Sequence, residues 1–147
     1  MFVVVVRRFK KTDFFPVMKL IYDIFPERYD PFLIMNLFEV FPEGFLVAEE
    51  NNKIIGFILG VKTSEDTARI LLLGVEEKHR RQGVGSHLLN RFTHEMMTRG
   101  SRYVQLEVRV GNKEAIEFYK KHGFHTTQTL PSLYRNGEDG YLMERRL

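Results

Sequence analysis

The chain of 147 residues contains no cysteine. That excludes disulfides, thiolate metal sites and a thiol nucleophile. Long apolar runs are missing too, and none reaches the roughly 18 residues of a membrane span. The opening "MFVVVVRRFKK" is apolar only from Met1 to Val6, and basic residues follow it. A signal peptide has the opposite order, so this segment reads as a first β-strand and the expected compartment is the cytoplasm. Charge of one sign is in slight excess, net +3. This suits an anionic ligand or solubility, and is too small to indicate nucleic acid. No repeat, low-complexity tract or linker divides the sequence. The five histidines offer no ligand spacing: His87 and His94 are two helical turns apart, and His79, His122 and His125 form no motif. No metal is expected.

What is present is ordinary globular material, 44% hydrophobic and 28% charged, long enough for one domain with a sizeable core. Strand and helix patterns alternate. "FVVVVRRF" is β-rich. "DFFPVMKLIYDIF" is helical, with Pro16 in a first turn after Asp13. "DPFLIMNLFEVF" opens with Asp30 as N-cap and Pro31 at the first helical position. "GFLVAEENNKIIGFILGVKT" is a hairpin turning at Asn51-Asn52, since asparagine tolerates positive φ. "ARILLLGV" is an apolar strand, followed by a helix that stops at Gly100. "RYVQLEVRV" alternates as a strand does. "NKEAIEFYKKHG" is a helix between Asn112 as N-cap and Gly123. "FHTTQTL" and "GYLMERRL" close the chain as a strand pair around a polar loop. The order is β-α-α-β-β-β-α-β-α-β-β. The strand–helix–strand unit from Arg69 to Val110 predicts a parallel or splayed parallel neighbour, and the remainder suits antiparallel hairpins.

The helix start "HRRQGVGSHLLNRF" is unusual. Val84, Leu88, Leu89, Phe92 and Met96 recur at helical spacing, yet Gly83 and Gly85 weaken the first turn by roughly 0.5–1 kcal/mol each. Unpaired N–H groups and the helix dipole make such a start an anion site when glycine lets a ligand reach the backbone. Arg80 and Arg81 add charge-assisted donors. The alternative is a tight strand–helix turn with a solvated basic edge. A P-loop is excluded, because no Gly-Lys-Ser/Thr occurs. A dinucleotide fold is disfavoured, because the third glycine is missing and the motif sits mid-chain.

"RRQGVGSHLL" after "LLLGVEEKH" resembles the acetyl-coenzyme A signature of the GNAT acetyltransferase superfamily, Q/R-x-x-G-x-G/A, with Arg80, Gly83 and Gly85 at its defining positions. "LEVRVGNKEAIEFYKKHGF", Leu106 to Phe124, is similar to the family's strand–Asn–helix–Tyr–Gly–Phe segment and is close to the ribosomal-protein alanine N-acetyltransferases. "FPERYDPF" and "LYRNGEDGYLM" resemble segments of protein N-terminal acetyltransferase catalytic subunits, with Phe25 in place of Leu and Gly140 in place of Ala. The resemblance implies a single GNAT domain over residues 1–147. Its fold class is α/β (mixed α+β): a central, mostly antiparallel sheet of about seven strands, a splayed parallel pair around the cofactor, and about four flanking helices. It implies an acetyl-coenzyme A-dependent N-acetyltransferase, releasing coenzyme A and acting on the N-terminal α-amine of proteins or peptides, with a ribosomal context open. Rival readings are acetylation of lysine side chains or small amines, and a non-catalytic acetyl-coenzyme A-binding regulatory module. "PERY" and "YRNGEDGY" favour a peptide acceptor.

The same resemblance assigns roles. The amides of Gly83, Val84, Gly85 and Ser86, with Arg80, Arg81 and Gln82, would hold the pyrophosphate. Leu73, Gly74 and Val75 would pair with the pantetheine arm. Gly74 in an apolar strand independently suggests a bulge or a close backbone approach, and an amide freed there, that of Val75, would stabilise an oxyanion. Asn112 would add a cofactor contact to its capping role. Glu107 takes the general-base position, and Gln105 and Arg109 share its strand face. Without the family it reads as an exposed glutamate paired with an arginine. Tyr119 takes the position of the acid that protonates the thiolate, and otherwise reads as a core aromatic. Glu27, Tyr29 and Tyr134 are candidates for the acceptor groove or ordinary loop residues. Phe25 and Phe32 line that groove or anchor helices.

Overall fold

A computed structural model describes residues 3–147. Met1 and Phe2 of the expected first strand lie outside the described residues. The elements follow the sequence pattern: β1 (Val4–Arg8), α1 (Phe14–Ile24), α2 (Pro31–Val40), β2 (Phe45–Glu50), β3 (Lys53–Lys62), β4 (Thr67–Val75), α3 (Val84–Thr98), β5 (Tyr103–Arg109), α4 (Lys113–Lys121), β6 (His125–Leu130) and β7 (Gly140–Arg146). The seven strands form one sheet in the order β1-β2-β3-β4-β5-β7-β6. Only β4 and β5 run parallel. Every other neighbour is antiparallel.

Local chemistry sets the boundaries. Asp30 accepts the Phe32 N–H at 2.8 Å and starts α2 with Pro31 in its first turn, a cap and a preset φ acting together. Asn51 and Asn52 take φ of 51° and 62°, the paired left-handed conformation of a tight hairpin. Asn112 caps α4 by accepting the Ala115 N–H at 3.2 Å. Asp13 precedes α1 without capping it. Its carboxylate accepts from Arg7 at 2.8 and 3.0 Å and from the Lys10 N–H at 2.8 Å, tying β1 to the entry of α1.

Each sheet face buries its own cluster. On one face α3 contributes Leu88, Leu89, Phe92 and Met96, and α4 contributes Ile116 and Tyr119, against strand residues such as Ile58, Ile70, Leu106 and Val108. On the other, Val17, Leu20 and Ile21 of α1 and Ile34 of α2 cover Val47, Phe57, Leu59 and Leu72. A bulge in β4 exchanges the two faces midway. Leu59 opposes Leu72, but Gly60 opposes Ile70, so Leu71 is the extra residue. Ala68 and Ile70 before it face α3, whereas Leu72 after it faces α1 and α2. A one-residue insertion inverts every later side chain because the strand period is two.

Candidate active site

The parallel pair is short. β4 and β5 are in register only from Thr67↔Tyr103 to Ile70↔Leu106. Beyond that point the β5-facing edge of β4 has no strand partner. The Glu76 N–H donates to the Ile55 C=O at 2.7 Å, which fixes the phase of the β3–β4 ladder. By the alternation of an antiparallel pair, Leu73 and Val75 direct their N–H and C=O away from β3 and into this split. The bond from Arg80 Nε to the Val75 C=O, 3.0 Å, agrees with that direction. Gly74 is the exception among the three expected pantetheine contacts, because its backbone groups turn to β3. The expected bulge at Gly74 is not there either: Gly74 stays in register with Phe57, and the bulge is at Leu71. A Cβ on Gly74 would lie 3.0 Å from both Ile24 Cδ1 and Phe57 Cε1. Side-chain packing from the α1 face therefore accounts for this glycine.

The α3 start is open, as its composition suggested. Gly83 is the N-cap at φ +84°, and no side chain caps the turn. A Cβ there would meet nothing within 4 Å. Glycine at 83 answers to the left-handed conformation, which other residues adopt at a cost. Gly85 has a different neighbour, since a Cβ would lie 3.4 Å from the Phe118 ring of α4. That is ordinary contact distance, so the first turn of α3 lies against the Phe118 ring. Arg81, itself at φ +63°, and Gln82 are exposed beside the uncapped N–H groups. The tight turn thus leaves these donors open to an anion. The donor set fits a pyrophosphate: uncapped amides, a helix dipole and the neighbouring Arg80 and Arg81 side chains.

Glu107 projects from β5 at the mouth of the split with a side chain 37% exposed, and Arg69 of β4 approaches it at 3.7 Å. The exposed, arginine-paired glutamate and the candidate base are one residue. Tyr119 is buried on α4, edge-to-face with Phe118 and Phe124 at ring separations of 5.2 and 5.5 Å. Burial pushes its phenol well above the usual value, so it stays protonated at neutral pH. It combines a packed ring with a retained proton.

Arg109 is the residue that the sequence placed on a face but gave no role. It lies on the Glu107 face of β5. Its guanidinium donates to Glu27 in the α1–α2 connection at 2.8 Å and to Glu138 in the β6–β7 loop at 3.0 Å. Its Cζ sits 3.9 Å from the centre of the Tyr134 ring. Its hydrogen bond to Glu27, against an opposing desolvation, raises the guanidinium pKa further. Glu138 also accepts the Gly111 N–H at 3.2 Å. The two loops that carry Glu27, Tyr29 and Tyr134 are thereby fastened over the split. Burial, and secondarily the Glu27 charge, raises the Tyr29 phenol; burial, opposed by Arg109, raises that of Tyr134. Glu27 Oε2 is buried and receives no hydrogen bond among the described residues. Phe25 anchors its loop against Tyr29 and Phe57, whereas Phe32 is 80% exposed and anchors nothing. The signal for Arg109 was an arginine on the inward face of an alternating strand. Its partners, 82 and 29 positions away, carry no local signature.

A wider groove of about 1160 Å³ runs along the outer flank of α1, between side chains of both charges such as Lys19, Asp23, Lys53 and Glu76. None of its walls belongs to β5 or to the residues that Arg109 holds.

Residues 12–124 match the acetyltransferase (GNAT) family, and the chain belongs to it. The acyl donor of such an enzyme is acetyl-coenzyme A. The chain is 30% identical over 150 residues to an N-alpha-acetyltransferase of Sulfurisphaera tokodaii, covering 94% of this chain and 90% of that protein. It superposes on the crystal structure of Ard1 from Thermoplasma volcanium with a TM-score of 0.94 at 39% identity, over 98% of this chain and 97% of that one. Naa50 of Arabidopsis thaliana, in complex with the bisubstrate analogue CoA-Ac-MVNAL, gives a TM-score of 0.88 at 27% identity, over 98% of this chain and 99% of that one.

Proposed function

We propose that the chain transfers acetyl directly from acetyl-coenzyme A to the N-terminal α-amine of proteins. The observation that carries this reading is the Arg109 clamp, which ties the α1–α2 connection and the β6–β7 loop together on the strand face that carries Glu107. The relatives named N-alpha-acetyltransferase and the likeness to Naa50 with a bisubstrate analogue support it.

When bound, acetyl-coenzyme A supplies the activated acetyl group. Val84, Gly85 and Ser86 offer their N–H groups to its pyrophosphate, flanked by Arg80, Arg81 and Gln82. Leu73 and Val75 offer the free edge of β4 to its arm, and the Val75 N–H is a donor for a carbonyl oxygen in the split. Asn112 stands at the neighbouring helix start. Glu107 takes one proton from the acceptor ammonium through water. An α-ammonium has a pKa of about 7.7–8.0, so this costs little near neutrality, whereas a lysine near 10.4 costs more. Tyr119 would give its proton to the departing thiolate, and the second proton that the nitrogen sheds as the amide forms would pass through water to restore the phenol. Glu27, Tyr29 and Tyr134 line the path of the peptide. A cytoplasmic setting, where protein N-termini emerge, suits this activity.

The test is a thiol-release assay with acetyl-coenzyme A. One substrate is a lysine-free peptide with a free N-terminus; the other is N-capped and carries an internal lysine. Turnover is expected only on the first. Turnover confined to the second would overturn the reading in favour of side-chain acetylation. Tight cofactor binding with no turnover on either would favour a regulatory module.

A further inference from the structure

Between β4 and the bare start of α3 lies a single helical turn, Glu77–His79. His79 is its last residue, just ahead of the donors at residues 80–86. Its ring is held from both sides. Nδ1 lies 3.1 Å from Glu76 Oε1, and Nε2 lies 3.4 Å from Glu50 Oε1. Glu76 is the residue after β4. Glu50 closes β2 and pairs with Lys53 at the last rung of the β2–β3 hairpin. Lys53 also reaches the second oxygen of Glu76, 3.2 Å from Oε2, and Lys78 approaches Oε1 at 4.0 Å. The side chains of His79, Glu50 and Glu76 are each less than one-fifth exposed.

Imidazole chemistry gives this arrangement two states. A carboxylate only accepts hydrogen bonds, and a neutral imidazole carries a single N–H. The neutral ring can serve Glu76 or Glu50, and turns a lone pair on the other. The imidazolium donates to both at once. Burial pushes the Glu76 carboxyl up, but the Lys53 hydrogen bond and the neighbouring charges outweigh it and hold the group below its ordinary 4.5. Glu76 is therefore a carboxylate at neutral pH. The charged ring bridges the hairpin tip to the turn that leads into α3, and the neutral ring opens one side of that bridge.

We propose that His79 is a positioning residue for coenzyme A: its charged ring, bridging Glu50 and Glu76, holds the entry to α3 in the shape that receives the pyrophosphate. This rests on the reading that the α3 start is the pyrophosphate seat. The grip on the cofactor is firmest where the ring is charged and slackens as pH rises.

The experiment measures the Kd of coenzyme A by calorimetry for the parent protein, His79→Gln and Glu50→Leu. It is run at about pH 5.5 and about pH 8, on either side of the range in which histidine changes charge. Protonation of coenzyme A itself is common to all three proteins and cancels in the ratio of variant to parent. A Kd is also unaffected by the fraction of protein folded. Both variants are expected to bind about fivefold more weakly than the parent at the lower pH, the scale of one ion pair, and within about twofold of it at the higher. A His79→Gln ratio within about twofold at both pH values, or equally large at both, overturns the proposal. Tighter binding by Glu50→Leu at the lower pH does so too, because His79 would then attract the cofactor directly, with Glu50 only opposing it. Arg81→Glu separates this outcome from the underlying reading. Its exposed side chain lies beside the α3 amides, and reversing its charge should weaken binding about tenfold or more. If Arg81→Glu binds as the parent does, the α3 start is not the seat, and the proposal falls with that reading.

Discussion

Tyr119 and Glu107, the proposed acid and base, sit in opposite environments. Tyr119 is 8% exposed, and burial raises its phenol above the ordinary value of 10. A phenol in that state remains a donor throughout the physiological range, so it imposes no loss of activity on the alkaline side below about pH 10. Replacing it in Tyr119→Phe keeps the ring packing and removes only the proton. The expected result is a fall in kcat of about 100-fold, with coenzyme A affinity within about twofold when measured by calorimetry. Glu107→Gln is expected to lower kcat/KM for peptides similarly, with coenzyme A affinity again within about twofold. A kcat/KM that stays within about twofold of the parent's would assign the base elsewhere, with Glu27 the first alternative. Both residues were visible in the sequence, because each sits in a motif that the family resemblance marks. Their packing and exposure were not, because burial is a property of what other segments bring.

At the scale of elements, two arginines fasten connections that the backbone alone would leave loose. Arg109 spans the α1–α2 and β6–β7 connections with a planar fork, and a lysine ammonium cannot reproduce two directed bonds and an aromatic stack. Arg109→Lys is therefore expected to raise KM for the peptide about tenfold while KM for acetyl-coenzyme A stays within about twofold. Steady-state kinetics with each substrate varied separately checks this. Arg7 and Asp13 join β1 to α1 in the same way. Burial pushes the Asp13 carboxyl up, but the Arg7 hydrogen bonds and the Lys10 N–H outweigh it and hold the group below its ordinary 3.8. A depressed carboxyl contributes stability that is fully present above the unfolded-state pKa and is lost as pH falls through the folded-state one. Urea midpoints should hold steady above about pH 5 and drop below pH 3.8. Asp13→Asn should lower the midpoint at neutral pH and flatten this acid dependence. The elements themselves were legible from Asp30-Pro31, Asn51-Asn52 and Asn112. Their fastenings were not, since Arg7 and Arg109 find partners through the sheet order.

For the whole molecule, the sheet has to admit α3 on one face while β4 changes face in the middle. Gly60 stands at that junction. A Cβ there would run into the Phe92 ring of α3 and lie 2.7 Å from the Arg69 carbonyl. Gly60→Ala is expected to cost about 1–3 kcal/mol by overpacking, a fall in Tm of roughly 3–10 °C by calorimetry. An unchanged Tm would mean that the Phe92 ring moves aside freely.

The sequence by itself determined the order of strands and helices, the caps and turns, and the bare glycine start of α3. These depend on neighbours within a few residues, where propensity, capping and φ preference act. Period-two alternation also placed Glu107, Gln105 and Arg109 on one face before any fold was known. Only the tertiary structure decided where β4 bulges and which partners Arg109 holds. A bulge is set by how two sheet faces must be filled, and an ion pair across 82 residues by which strands lie side by side. Gly74 marks the boundary between the two kinds of information. Its sequence position pointed to a ligand or a bulge, and the packing of Ile24 and Phe57 beneath it supplied the reason.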